Sequence, residues 1–325
     1  MSKIRRRDAM KLLLAAPFVV APNRLFAQAW PTKPVRIIAS WAPGGGADTT
    51  IRIIFNRVQE LLGQPLIMDN RAGGASLLAA QAVHAAPRDG YTFFANGPQQ
   101  VVLPLMSKDL PIDYATAFVP VSQHCTYPLA IVVLDTSRFK TLADLVEEAR
   151  ANPDRVRCGT STPGTMPHLV IEELERRAGV KILYIPYRVS AEIPRDVLSG
   201  QIELTVMSVG TIKPYLDQGK VRLLGMNGTK RVPIVRDVPT IAEQGYPGFD
   251  MGDWGGTFAA TGTPDPIIRR LQAGIAEASN DPGVVARLDA IGNQAIGSTP
   301  EEFTAFMERS KQAIAALVKE NNLTL

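Results

Sequence analysis

The chain has 325 residues, 46% of them hydrophobic and 20% charged, which suits a globular protein of two α/β domains. Its formal net charge of +4 is unevenly placed: residues 1–29 hold Lys3, Arg5, Arg6, Arg7, Lys11 and Arg24 against Asp8 alone, so the remainder is slightly acidic. A nucleic-acid footprint needs a basic patch on the folded domain, and this balance excludes an obvious one.

Residues 4–11 are basic, residues 12–21 are apolar but broken by Pro17, and Ala27-Gln28-Ala29 is a small-x-small cleavage pattern. Residues 1–29 therefore read as a cleaved export signal, of twin-arginine type because Arg6-Arg7 is followed by Asp-Ala-Met-Lys. The apolar run is too short to span a bilayer, and no Cys follows it to carry a lipid.

From residue 30 onward, strand-like and helix-like runs alternate. Strands are predicted over 35–39, 65–69 and 91–95. Between them lie a helix with apolar positions at Ile51, Ile54, Phe55, Val58, Leu61 and Leu62 and another over about 75–86. The third strand ends at Asn96-Gly97-Pro98, and no element is assigned from there to residue 128. A second block carries strands over 129–134, 155–159, 181–185, 202–207 and 221–226, with helices over 142–151, up to 178, 190–199 and 212–218. After a turn-rich stretch over 227–246 come a strand over 254–260 and helices over 264–280, 282–291 and 300–320. This alternation predicts an α/β protein whose sheets are mostly parallel and flanked by helices. The last three helices need a sheet to cover and find it by returning to the first block. The expected architecture is therefore a first lobe of residues 30–125 plus 228–325, an inserted second lobe of residues 126–227, and a ligand cleft between them.

Two glycine-bearing strand ends carry the chemistry. Ser40-Trp41-Ala42-Pro43-Gly44-Gly45-Gly46-Ala47-Asp48 joins a strand to a helix, so bare backbone N–H groups point at an incoming anion. As a dinucleotide turn it fails, because Thr49 stands where Gly or Ala is needed, and it has no Walker lysine. A plain tight turn, with Asp48 capping the helix, is the other reading of the same residues. Thr160-Ser161-Thr162-Pro163-Gly164-Thr165 repeats the design in the second block, with helix capping again the alternative. One such loop per lobe predicts an anion clamp.

Catalysis finds little support. Gly159-Thr160-Ser161-Thr162-Pro163 breaks the nucleophile elbow at its last position, and His168 reads as a packed or capping histidine. Asp196 and Asp253 carry no paired-carboxylate spacing, and Trp41, Trp254 and Tyr187 suit either a cleft or a core. His84, His124, His168, Cys125 and Cys158 show no metal-ligand spacing, so no metal or cofactor is expected. The two cysteines could pair in an oxidising compartment, and two isolated buried thiols are the preferred reading.

Pro43-Gly44-Gly45-Gly46-Ala47-Asp48 with Arg52, then Asn70-Arg71-Ala72-Gly73-Gly74, resemble the first-lobe motifs of Bug-type receptors, the extracytoplasmic solute-binding proteins of tripartite tricarboxylate transporters. Pro167-His168-Leu169, Ile185-Pro186-Tyr187-Arg188, Asp196-Val197-Leu198-Ser199-Gly200-Gln201, Asp237-Val238-Pro239-Thr240-Ile241-Ala242-Glu243, Pro247-Gly248-Phe249, Trp254-Gly255-Gly256 and Gly262-Thr263-Pro264 match in order. The resemblance implies a two-lobed periplasmic-binding-protein fold of type II that closes on a carboxylate and passes it to a membrane permease, without catalytic residues. It points to Trp41, Ala42, Pro43, Gly44, Gly45, Gly46, Ala47, Asp48, Asn96, Ser161, Thr162, Gly164, Thr165, Tyr187 and Ser208 as ligand-binding residues. The implied protein is a periplasmic monomer that takes a di- or tricarboxylate or an aromatic acid and has no nucleic-acid partner. Three positions depart from the family pattern: Ala75-Ser76 shortens the glycine run, Val189 replaces a glycine, and Met207-Ser208 replaces a Phe-Asp or Phe-Asn pair. Apolar groups at Val189 and Met207 favour an apolar or aromatic acid over citrate. The competing classes are a periplasmic hydrolase built on Ser161 and His168, and a ligand sensor that docks to a signalling partner.

Overall fold

The alternating pattern folds into two sheets, described by a computed structural model for residues 30–107, 109–160, 163–187, 192–321 and 323. The export-signal reading of residues 1–29 lies outside the described residues. The first leg of chain forms β1 (Val35–Ala39), α1 (Gly46–Leu62), β2 (Leu66–Asn70), α2 (Leu77–His84), β3 (Thr92–Asn96), α3 (Gln99–Met106), α4 (Tyr114–Ala117) and β4 (Phe118–Tyr127). The second forms β5 (Leu129–Leu134), α5 (Leu142–Ala151), β6 (Arg157–Thr160), α6 (Met166–Ala178), β7 (Leu183–Pro186), α7 (Ile193–Leu198), β8 (Leu204–Ser208), α8 (Val209–Asp217) and β9 (Val221–Met226). The chain then adds β10 (Asp253–Ala260), α9 (Asp265–Ser279), α10 (Pro282–Ala290), β11 (Gln294–Ala295) and α11 (Pro300–Glu320).

One sheet has the order β11-β4-β10-β3-β1-β2 and the other β7-β6-β8-β5-β9. The expectation of mostly parallel sheets holds for one half of each: β1 pairs in parallel with β2 and β3, and β6 with β7 and β8. The other halves are antiparallel, because β4, β5, β9 and β10 are the strands that carry the chain between sheets and enter from the opposite end. The crossings are close together. Only Pro128 separates β4 from β5, and the Asn227 side chain just after β9 accepts from the Met251 amide at 2.9 Å just before β10.

Three elements were missed between residues 96 and 128: α3, the single-turn α4 and β4. β4 contains Pro120 and the polar run Ser122-Gln123-His124, a composition that argues against a central strand. Its register against β10 shifts twice, and the buried polar groups find partners: the Ser122 hydroxyl donates to Ser298 O at 2.8 Å, the Gln123 amide donates to the Ser298 hydroxyl at 2.9 Å, and His124 Nδ1 meets the Thr257 hydroxyl at 3.3 Å. α3 was hidden by the proline at position 104 inside it.

Helix packing follows the apolar stripes. α1 buries Ile51, Ile54, Phe55, Val58 and Leu62, and α9 packs beside it. α11 lies on β4 and α3, and its far end reaches α6 of the other sheet through Arg176 and Glu320, 3.2 Å apart. Cys125 on β4 and Cys158 on β6 are buried free thiols in different sheets. Among the described residues no helix is long and apolar enough to cross a membrane.

Candidate ligand-binding cleft

The carboxyl ends of β1, β3, β6 and β8 each lead into a helix, and the N-termini of α1, α3, α6 and α8 open on two adjoining cavities between the sheets. The first, of about 380 Å³, has Asn96, Gly97, Pro98 and Gln99 at the start of α3 facing Pro163, Thr165, Met166 and Pro167 at the start of α6. The second, of about 400 Å³, has Gly44, Gly46, Ala47 and Thr49 at the start of α1 facing Ser208, Gly210 and Thr211 at the start of α8. Trp41 and Asp253 line both.

The β1–α1 loop leaves donors open. Gly45 precedes α1 and has no side chain to cap it, and Thr49 is the first residue whose amide finds a partner within the turn, on Gly45 O at 2.9 Å. The amides of Gly46, Ala47 and Asp48 thus have no intrahelical acceptor, and the helix dipole adds partial positive charge there. Gly44 has φ +77, a left-handed conformation that a side chain would disfavour.

Asp48 does not cap α1 in the way expected. Its carboxylate turns back under the loop and accepts from the Gly44 amide (2.9 Å), Arg52 Nε (2.8 Å) and Asn70 Nδ2 (2.8 Å), and its residue is 2% exposed. Burial pushes its pKa up, but the donors from Arg52, Gly44 and Asn70 outweigh that and hold it below the usual carboxylate value. Asn70 also donates to Trp41 O at 3.1 Å, so one buried carboxylate and one amide fix the loop from beneath. Ala42, Pro43 and Gly45 lie on the exposed rim and line neither cavity.

Asn96 is buried at the end of β3, where its Oδ1 accepts the Ser40 hydroxyl at 2.9 Å. Gly97 has room for no side chain, since a Cβ there would meet Trp254 O at 2.8 Å. Across the cavity, Gly164 turns with φ +78. Its amide faces His168 Nδ1 at 3.4 Å, its carbonyl accepts Gln99 Nε2 at 3.1 Å from the opposite sheet's helix, and His168 Nε2 lies 3.3 Å from Glu172. His168 is thus a packed brace. Ser161 and Thr162 lie outside the described residues. Ser208 caps α8, accepting from the Thr211 amide at 3.4 Å. Tyr187 lines neither cavity: its hydroxyl donates to Asp196 Oδ2 at 2.7 Å, and burial together with that carboxylate pushes its pKa up to about 12.

Sequence reading missed Gln99, Gly210 and Thr211, weighed Asp253 only as a catalytic acid, and noted the turn over residues 73–76 only as a departure from the family pattern. In that turn Ala75 (φ 49) and Ser76 (φ 82) are left-handed without being glycine, and both line the first cavity. The shortened glycine run was the available signal: each of the two residues stores of order 1–2 kcal/mol of strain. Among the described residues no cluster of His, Cys, Asp or Glu is placed to hold a metal.

Residues 50–323 match the tripartite tricarboxylate transporter family receptor. The chain belongs to that family. Its relatives include the UPF0065 protein of the tcbD-tcbE intergenic region of Pseudomonas sp. strain P51, 32% identical over 99% of this chain and 96% of the relative, and Protein BugT of Bordetella pertussis, 29% identical over the full length of both. A R. palustris protein solved with adipate is 31% identical, with a TM-score of 0.82 over 91% of this chain and 99% of that one. The periplasmic binding protein BugD superposes with a TM-score of 0.79 at 26% identity over 91% of this chain and 99% of its own. The receptor is accordingly a two-lobed α/β solute-binding protein, in a family of binders and not of enzymes.

Proposed function

We propose that this receptor is exported to the periplasm, closes its two lobes on a carboxylate-bearing organic acid, and delivers it to the permease of a tripartite tricarboxylate transporter. The observation that carries this is the convergence of the helix N-termini of α1, α3, α6 and α8 on one cleft between the sheets, with no basic side chain among the described lining residues. Anion binding there rests on amides and hydroxyls, which suit a small carboxylate. The relatives solved with adipate and with malate bind such acids and support the same class here.

In this reading the lobes are residues 30–125 with 228–325, and 126–227, hinged where the two crossings meet. The carboxylate sits on the amides around Gly44, Gly46 and Ala47, with Trp41, Asn96, Gly164, Thr165 and Ser208 completing the cleft. Asp48 acts from beneath by holding the loop. Closure follows because a bound acid contacts both lobes and neither lobe alone.

A thermal-shift and calorimetric panel of monocarboxylates, dicarboxylates, citrate and aromatic acids tests the reading. At a hundred times the Kd, a ligand adds about 2.7 kcal/mol of stability, a rise of several degrees. Absence of any shift with every acid would overturn the receptor reading. A response confined to small polar acids would remove the preference for apolar or aromatic acids.

A further inference from the structure

Asp253, at the start of β10, is the sole charged side chain among the described residues lining the two cavities, and it stands where they adjoin, beside Trp41. Its Oδ1 accepts the Trp254 amide at 2.8 Å, and among the described residues it has no basic partner. A carboxylate in a cleft built for anions is a conflict that needs a reason.

We infer that Asp253 is a specificity-determining residue that pairs with an ammonium-type group of the ligand, so that the cleft takes an amino-substituted carboxylic acid ahead of a dicarboxylate. This rests on the carboxylate-receptor reading and narrows it. The open amides of Gly46 and Ala47 and the Asp253 carboxyl line the same cavity of about 400 Å³, so a ligand anchored by its carboxylate at α1 has its remaining atoms within reach of Asp253. A second carboxylate on that ligand would meet a like charge in a partly desolvated site, whereas a cation would meet an unpaired acceptor.

Among the described residues, nothing around Asp253 takes that role already. Tyr127 pairs with it across from β4, and Cys125 lies two residues further along. Burial raises the pKa of both, Cys125 to about 12, so both stay neutral. Trp41, Asn96, Ser208 and Thr211 bring no charge from the loop, β3 and α8. Burial without a counter-charge pushes Asp253 up to about 7, a penalty that a ligand cation would relieve.

Calorimetry at pH 8 with 5-aminopentanoate, adipate and pentanoate tests the inference on the native protein. The first two have similar length and differ in carrying an ammonium or a second carboxylate. The expected result is 5-aminopentanoate binding at least tenfold more tightly than adipate, with Asp253→Asn and Asp253→Ser each erasing or reversing that order. Tighter binding of adipate by the native protein, or an unchanged ratio in both folded variants, overturns the inference. Because Asp253 takes up a proton as pH falls through about 7, the preference for 5-aminopentanoate should shrink from pH 8 to pH 6, and a preference that grows instead also overturns the inference. If none of the three binds while another carboxylate of the panel does, the inference fails alone. If no carboxylate binds, the receptor reading fails with it.

Discussion

The two glycine-bearing loops look alike in sequence and differ in what holds them. The β1–α1 loop is braced from beneath by a nearly fully buried carboxylate with three donors, from Gly44, Arg52 and Asn70. In the β6–α6 loop, Gly164 makes a long contact with His168, and Gln99 reaches Gly164 O from the opposite lobe. The first is formed before a ligand arrives. The second is tied in part from across the cleft. In the proposed reading the anion site has one half braced within its own lobe and one half tied in part across the cleft, so that closure would complete it.

The largest test of this contrast removes the brace. Asp48→Ala leaves the Arg52, Asn70 and Gly44 donors without their acceptor and is expected to cost about 2–3 kcal/mol in denaturant unfolding. Ligand affinity should fall by roughly a hundredfold as the loop loses its preorganisation. Because Asp48 is held below its unfolded value of 3.8, its contribution is present above that pH and is lost as pH falls through the lower folded value. The gap between native and variant stability should therefore close in acid. A loop that keeps its affinity in Asp48→Ala would show the two halves to be equivalent.

Gly210→Ala probes the closing half. A Cβ there would lie 2.2 Å from Ile291 O, backbone of the other lobe, so the described contact between lobes cannot form. The expected outcome is a native-like melting temperature without ligand, a larger radius of gyration by solution scattering, and an affinity loss of about tenfold because the competent closed state is scarcer. Unaltered scattering and affinity would show that closure does not use this contact.

Asp253→Asn addresses the wall between the cavities. The folded pKa of about 7 lies above the unfolded 3.8, so native stability falls as pH rises from about 4 through 7. Without ligand, the variant should be more stable than the native protein at pH 8, by about 1–2 kcal/mol, and equal to it near pH 4. His168→Ala should have the smallest effect, about 1 kcal/mol or a threefold loss of affinity, since it removes one long contact from the β6–α6 loop.

Much of this was legible because it is local. The tight turn at Gly44, with φ +77, follows from residues adjacent in the chain, and the strand–turn–helix signals place it at a strand end; the uncapped start of α1 and the cap at Ser208 were not read. β4 was not legible, because its proline and polar run are compatible with a central strand only once Ser298, Thr257 and the shifts against β10 supply partners from 130 to 180 residues away. Asp48 was read as part of the site, and its turn beneath the loop depended on Asn70, brought alongside by the parallel β1–β2 pair.

The sequence by itself determined the family, the alternating architecture and the glycine-bearing loops at strand ends, since glycine, proline and hydroxyl residues act on their own neighbours. Only the tertiary structure decided which of those residues line the two cavities and which hold the loop. It also set Asp253 into the cleft, because β10 inserts between β3 and β4 and carries to that point a carboxylate lying more than 200 residues from the first loop.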